Sequence, residues 1–183
     1  MILPPLVLVS GMPATGKTTL VAHLRTALHL PLLAKDDVKE SLSRVAGMPA
    51  DRAESQALGA RTMTALFELA GAFLDRGVGI VFECNFKRRL SDAELAPLLA
   101  VSRAVNVHCE VPFELVEARI RARAAGRHGA HFDVDAISES APVTWSLVHT
   151  LDLGIPRLVV DTTDGYAPDL GAIVAWVEEN ISC

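Results

Sequence analysis

The stretch Gly11-Met12-Pro13-Ala14-Thr15-Gly16-Lys17-Thr18 constrains this chain more than any other. It has the spacing G-x-x-x-x-G-K-[ST]. It lies between an unbroken apolar run, Leu6-Val7-Leu8-Val9, and a segment in which Leu20, Leu24 and Leu28 recur at helical spacing. The run reads as a strand buried on both faces, and the leucine stripe as a helix packed against it. Glycines at both ends of the turn let successive N–H groups point inward around an anion, and the helix adds its positive N-terminal end. Pro13 has no N–H, so the cradle must come from Ala14, Thr15, Gly16 and the residues after them. Lys17 is placed to reach the β- and γ-phosphates of a nucleotide, and the Thr18 hydroxyl to ligate Mg²⁺. The Lys17 ammonium is expected to face solvent in the empty protein.

Composition narrows the setting. Of 183 residues, half are hydrophobic and 21% charged, enough to bury one sizeable core in one domain. No apolar run reaches the ~18 residues of a membrane helix. The first is broken by Pro4 and Pro5 and lacks a basic leader, so a cytoplasmic protein is expected. A net charge of −5 and only 5% aromatic residues argue against nucleic acid as a partner. Cys84, Cys109 and Cys183 have no metal-ligand spacing and read as reduced thiols. The chain contains no Asn-Lys-x-Asp of the kind that reads guanine, and it is too short for the sensor subdomain of a hexameric motor.

Apolar bursts alternate with helical periodicity along the whole length. This predicts an α/β, three-layer P-loop NTPase fold around a five-stranded, mainly parallel sheet. Strands are expected at Leu6–Val9, Pro31–Ala34, Ile80–Phe82, Ala104–Val111 and Leu158–Asp161. Helices are expected at Thr18–Leu28, Val38–Val45, Asp51–Arg76 and Pro168–Glu179. Another should open at Ser91 with Glu94 as its capping box, and one at Pro112 running to about Ala125.

In such sheets, ligands gather at the carboxyl ends of the strands. Asp36 and Asp37 close the second strand. Either carboxylate is placed to accept a proton from a hydroxyl attacking a γ-phosphate, and either also suits the cap of the helix that follows. Lys39 is a candidate for an anionic substrate group. Glu83 closes the third strand, where a carboxylate orients Mg²⁺ or its waters; Asn85 lies two residues on. The competing readings are an exposed strand-end acid and a turn residue.

Arg119, Arg123 and Arg127 are spaced four apart, so a helix puts them on one stripe while Val116 and Ile120 anchor its neighbouring face. Gly126 and Gly129 loosen the chain beyond. The segment from about 112 to 135 therefore reads as a small helical lid whose arginines neutralise charge on a transferring group. The competing reading is a solvated basic face paired with Glu114 and Glu117. Arg123 and Arg127 lie nearer the loosened end. His128 and His131 fall in the same segment and read either as contacts to phosphate or acceptor or as surface histidines without a role, and Asp133 is expected to cap a helix that includes Ile137.

Together these motifs resemble the small P-loop kinases of the AAA-type ATP-binding, zeta-toxin-like group, kin to chloramphenicol phosphotransferase, gluconate kinase and polynucleotide 5′-kinase. Gly11 to Thr19 is similar to their G-x-P-G-S-G-K-[ST]-T, with Ala14 in place of a glycine. Asp36-Asp37-Val38-Lys39 is similar to D-x-[LFY]-[RK], which implies that Asp36 is the general base. Glu83-Cys84-Asn85-Phe86 matches D-x-[TN]-[NF] loosely, with Glu for Asp. Val111-Pro112-Phe113-Glu114 with Arg119 and Arg123 resembles the start of the lid, and Asp161-Thr162-Thr163 the adenine-side loop. The likeness runs from Leu6 to about Trp176 and is weakest at Ser41–Arg76, where the acceptor would bind.

The resemblance implies an ATP- and Mg²⁺-dependent transfer of the γ-phosphoryl group to a small-molecule hydroxyl. Lys17, Asp36, Arg123 and Arg127 would be catalytic. Gly11, Pro13, Ala14, Thr15, Gly16, Lys17, Thr18, Thr19, Arg119, Asp161 and Thr162 would hold the nucleotide, and Thr18 and Glu83 the metal. Asp36, Asp37, Lys39 and Asn85 would meet the acceptor. Two readings stand beside it: a 5′-hydroxyl polynucleotide or nucleoside kinase, and a regulatory NTPase without an acceptor.

Overall fold

The structure, a computed structural model, describes residues 2–132 and 147–182. β1 (Pro5–Ser10) holds Leu6, Val7, Leu8 and Val9 fully out of solvent. It can do so because it is the middle strand of a five-stranded sheet of order β2-β3-β1-β4-β5. The neighbours are β2 (Leu32–Ala34), β3 (Ile80–Glu83), β4 (Arg103–Glu110) and β5 (Arg157–Asp161), and every pairing is parallel.

Side chains alternate across β1, so one strand feeds two cores. Leu6 and Leu8 pack with Leu66, Leu74, Phe82 and Leu95 beneath α3 (Arg52–Leu74) and α4 (Asp92–Ala100). Val7 and Val9 pack with Leu20, Leu24, Val107 and Ile173 beneath α1 (Lys17–Ala27) and α6 (Leu170–Ile181). Each fully buried leucine contributes about 1.5–3 kcal/mol. α2 (Lys35–Ala46) packs on α3, and α5 (Phe113–Arg123) is anchored by Val116 and Ile120 against Met12 and Val111.

The chain runs from β1 out to the β2 edge, returns to β3, then crosses to β4 and β5 on the other side. The reversal falls at β1, and a crevice opens beyond the carboxyl ends of its neighbours. In register, Val9 faces Glu83 of β3 and Ser10 faces His108 of β4. The P-loop therefore emerges beside a strand that ends in a carboxylate.

Several local expectations are corrected. α2 begins at Lys35, directly after β2, so Asp36 and Asp37 lie inside its first turn. Ala34 is the cap residue and makes no side-chain cap bond, so neither aspartate caps the helix. At α4 the Ser91 hydroxyl accepts from the Lys87 N–H, and no capping bond forms. α6 starts two residues later than expected and is capped by Asp169, which accepts from the Ala172 N–H at 2.9 Å. Asp51 does cap α3, accepting from the Glu54 N–H at 2.9 Å. α5 is continued by a short 3₁₀ turn, Ala124–Gly126. The helix expected after Asp133 lies outside the described residues. Among those described, no helix is long and apolar enough to cross a membrane.

Candidate nucleotide and phosphoryl-transfer site

The loop between β1 and α1 is held open by its backbone. Gly11 has φ +134°, and a β-carbon there would lie 2.2 Å from the Cys109 carbonyl oxygen, so no other residue fits. Gly16 has φ +78°, and Ala14 is left-handed at +62°, a conformation that disfavours any residue but glycine. The Thr15 hydroxyl donates to the Met12 carbonyl at 2.8 Å and closes the turn. From outside, the Thr162 hydroxyl donates to the Thr15 carbonyl at 2.8 Å. Arg119 donates to the carbonyls of Ala14 (3.3 Å), Thr162 (2.8 Å) and Thr163 (3.2 Å). One guanidinium thus ties α5, the P-loop and the turn after β5 together.

Lys17 does not face solvent. It is 4% exposed, and its Nζ donates to the Gly11 and Met12 carbonyls at 3.0 and 2.7 Å, with Glu83 Oε1 at 3.9 Å. The loop's own carbonyls satisfy the ammonium, because a buried cation needs acceptors. Burial pushes the Glu83 carboxyl up, and the Lys17 ammonium opposes that shift. Thr18 and Thr19 are exposed at the start of α1. A hydroxyl and a carboxylate fit Mg²⁺, which draws its remaining ligands from phosphates and water. Among the described residues, no group of three or more His, Cys, Asp or Glu side chains could hold a metal by itself.

A cavity of about 570 Å³ opens over the loop, and Arg119, Arg123 and Arg127 all line it, with Lys17, Asp36 and Glu83. Arg127 Nη2 donates to Asp36 Oδ2 at 2.6 Å, and His131 Nδ1 stands 4.0 Å from Asp36 Oδ1. Burial pushes the Asp36 carboxyl up, but the Arg127 guanidinium and its hydrogen bond outweigh that and hold it below the usual range. His131 Nε2 also meets Glu40 Oε1 at 3.1 Å. Arg121 turns outward to pair with Glu117 on the helix surface.

Asp37 is exposed and lines neither this cavity nor the one beside it. Partial burial and the charges of Glu40 and Asp36 raise its carboxyl. Lys39 is buried and donates to the Ser55 hydroxyl at 2.8 Å, which in turn donates to the Ala130 carbonyl at 2.7 Å. Asp161 is exposed and accepts from the Thr163 N–H at 2.8 Å; the neighbouring Thr162, not Asp161, lines the nucleotide-sized cavity. A second cavity of about 870 Å³ adjoins the first, and Lys35, Lys39 and Asn85 line both.

Of the candidates in the loosened segment, His131 does line the first cavity's wall, whereas sequence reasoning missed Lys35 and Tyr166 there. For Lys35 a signal was present, its place at the carboxyl end of β2; for Tyr166 the turn that carries it had none. Burial pushes the thiols of Cys84 and Cys109 up to about 12, which leaves both inert.

Residues 6–139 match the AAA domain profile of AAA_33. The chain belongs to that family. It is similar to a candidate kinase from Chloroflexus aurantiacus J-10-fl, with 34% identity over 97% of this chain and 98% of the other, at a TM-score of 0.82. The fold is shared with a sugar kinase from Janibacter sp. HTCC2649 (15% identity over 98% and 95% of the two chains, TM-score 0.60). It is shared also with the Mycobacterium tuberculosis APS kinase CysC, solved with AMPPNP and APS (14% identity over the whole of both chains, TM-score 0.63). No curated protein is matched by the sequence. This AAA_33 protein has the fold of the small P-loop kinases, and its expected three-layer α/β architecture is the one found.

Proposed function

We propose that the protein is an ATP- and Mg²⁺-dependent kinase that transfers the γ-phosphoryl group to a hydroxyl of a small molecule. One observation carries this reading. A carboxylate (Asp36), a P-loop lysine (Lys17) and three arginines of one helix and its extension line a single cavity, and that cavity continues into a second, unfilled one. A regulatory NTPase has no use for the second space.

Gly11 to Thr19 would hold the nucleotide phosphates, with Arg119 and Thr162 fixing the loop's outer side. Thr18 and Glu83 would hold Mg²⁺, which would neutralise charge on the nucleotide phosphates. Lys17 would leave the Gly11 and Met12 carbonyls for the phosphate oxygens. The acceptor oxygen attacks the γ-phosphorus as the bridging oxygen departs with ADP, and the hydroxyl proton passes to Asp36. For that, Asp36 must exchange its bond to Arg127 for one to the hydroxyl, and Arg127 then turns to the transferring group beside Arg123. Residues from about 112 to 132 act as the lid; the expected remainder, to about 135, lies outside the described residues. Asp161 takes the supporting role of shaping the turn that carries Thr162.

Incubation with γ-labelled ATP and a set of hydroxyl compounds tests this. Label in an organic phosphate ester is expected. Release of free phosphate alone, whatever the acceptor, overturns the kinase reading in favour of an NTPase.

A further inference from the structure

The larger cavity has one apolar wall and one basic wall. Phe67, Met63, Leu90 and Phe132 give it an apolar wall, and Leu90 remains 69% exposed there. A large apolar side chain left bare on a cavity wall gains by covering. The other wall is basic. Lys35, Lys39, Arg52 and Lys87 line it against two acids, Glu68 and Glu94, a surplus of positive charge in a chain whose net charge is −5. Lys39 is engaged by Ser55. By contrast, among the described residues the Lys35 ammonium and the Asn85 amide, at the junction with the nucleotide cavity, make no hydrogen bond, and the Asp36 and Glu83 carboxylates act on Lys35 only through space. A half-buried ammonium without an acceptor gains from an anion. At about 870 Å³ the space is near the upper end of what encloses a drug-sized ligand.

We infer that the acceptor is an anionic hydroxyl compound with an apolar body: its acid group meets Lys35 and Asn85, its hydroxyl faces Asp36, and its apolar part lies on Phe67, Leu90 and Phe132. Lys35 acts here as a specificity residue. The inference deepens the proposed function and rests on reading the larger cavity as the acceptor's.

Four probes separate the two demands: 3-phenyllactate has both features, 2-phenylethanol only the apolar body, gluconate only the anion, and glucose neither. Binding is titrated by ligand-observed NMR on the intact protein with AMPPNP and Mg²⁺, and no turnover is needed. The inference expects 3-phenyllactate to bind about tenfold tighter than each of the others, the ratio of one charge-assisted or one apolar contact. Lys35→Gln should remove about tenfold from 3-phenyllactate and nothing from 2-phenylethanol. Leu90→Ser, at an exposed position that does not threaten folding, should weaken both phenyl compounds and leave gluconate unchanged. Gluconate or glucose binding as tightly as 3-phenyllactate, absence of binding by all four, or indifference of 3-phenyllactate to both substitutions would each overturn it. If 3-phenyllactate binds as expected yet ATP labels no hydroxyl compound, the kinase reading fails and the cavity assignment stands.

Discussion

Arg127 donates to Asp36 at 2.6 Å although 91 residues separate them. The contact joins the chain beyond α5 to the first turn of α2, and so places the segment read as the lid directly over the carboxylate read as the base. The guanidinium holds Oδ2, one of the two carboxylate oxygens that could take a proton in the proposed reaction.

Asp36→Asn is expected to keep affinity for an ATP analogue while transfer falls by ~10²–10⁴, the range for a lost general base. Asp37→Asn should be mild, since that side chain lies outside both cavities. Steady-state transfer rates beside analogue titrations decide it; a severe Asp37→Asn with a harmless Asp36→Asn makes Asp37 the base. The pH profile carries a sign. Because the folded Asp36 carboxyl is held below 3.8, its contribution to stability is present above that value and lost only as pH falls below it. Because kcat/KM reports the free protein, in which Arg127 holds Asp36, kcat/KM should show no acid limb from Asp36 between pH 5 and 7.

Lys17→Ala should reduce transfer by ~10² or more, corresponding to the ~3 kcal/mol of a lost charge stabiliser. Because Lys17 also donates to Gly11 and Met12 in the empty protein, a small drop in melting temperature should accompany it. Transfer within about tenfold of the parent would count against the site.

Hydrogen exchange should report the lid. Amides from Arg119 to Phe132 are expected to slow when AMPPNP and Mg²⁺ are added. Arg127→Gln should already exchange faster there without nucleotide, because the bond to Asp36 is gone. Identical exchange with and without saturating nucleotide removes the lid.

Ala14 carries a left-handed backbone at φ +62°. A β-carbon in that region costs about 1–2 kcal/mol, partly offset by the smaller unfolded-state entropy of alanine. Ala14→Gly is thus expected to raise stability by up to ~1 kcal/mol, read as a shift in the urea midpoint; a destabilised variant would show the loop unstrained.

His108 and His149 are buried, and burial lowers both to about 4 from the ordinary 6.5. Their neutral forms are the ones the fold accepts: His108 meets the Ser10 hydroxyl at 2.9 Å, and His149 the Phe86 carbonyl at 3.1 Å. Stability from each is full above pH 6.5 and declines as pH falls from 6.5 toward 4. Denaturation midpoints should drop between pH 7 and 5, and the drop should shrink in His108→Gln.

The order of elements was legible because the chain writes it locally. Leu6–Val9 has no polar break, Leu20 and Leu24 repeat at helical spacing, and the glycines of the P-loop stand where only glycine fits. Such signals depend on neighbours a few residues away. The same holds for Thr18, Glu83 and the arginine stripe as candidates. What sequence could not decide was which groups meet across long separations. Nothing near Lys17 says that Gly11 and Met12 hold its ammonium in the empty loop, because the cradle exists only once β1 and α1 are packed. Nothing near Lys39 says that the Ser55 hydroxyl accepts from its ammonium, or that Lys35 makes no hydrogen bond among the described residues. Those assignments follow from how α2 and α3 lie against each other and against residues 127–132. Local pattern wrote the fold and the list of candidates, whereas packing chose their partners, because a buried charge takes whichever acceptor the tertiary structure brings within reach.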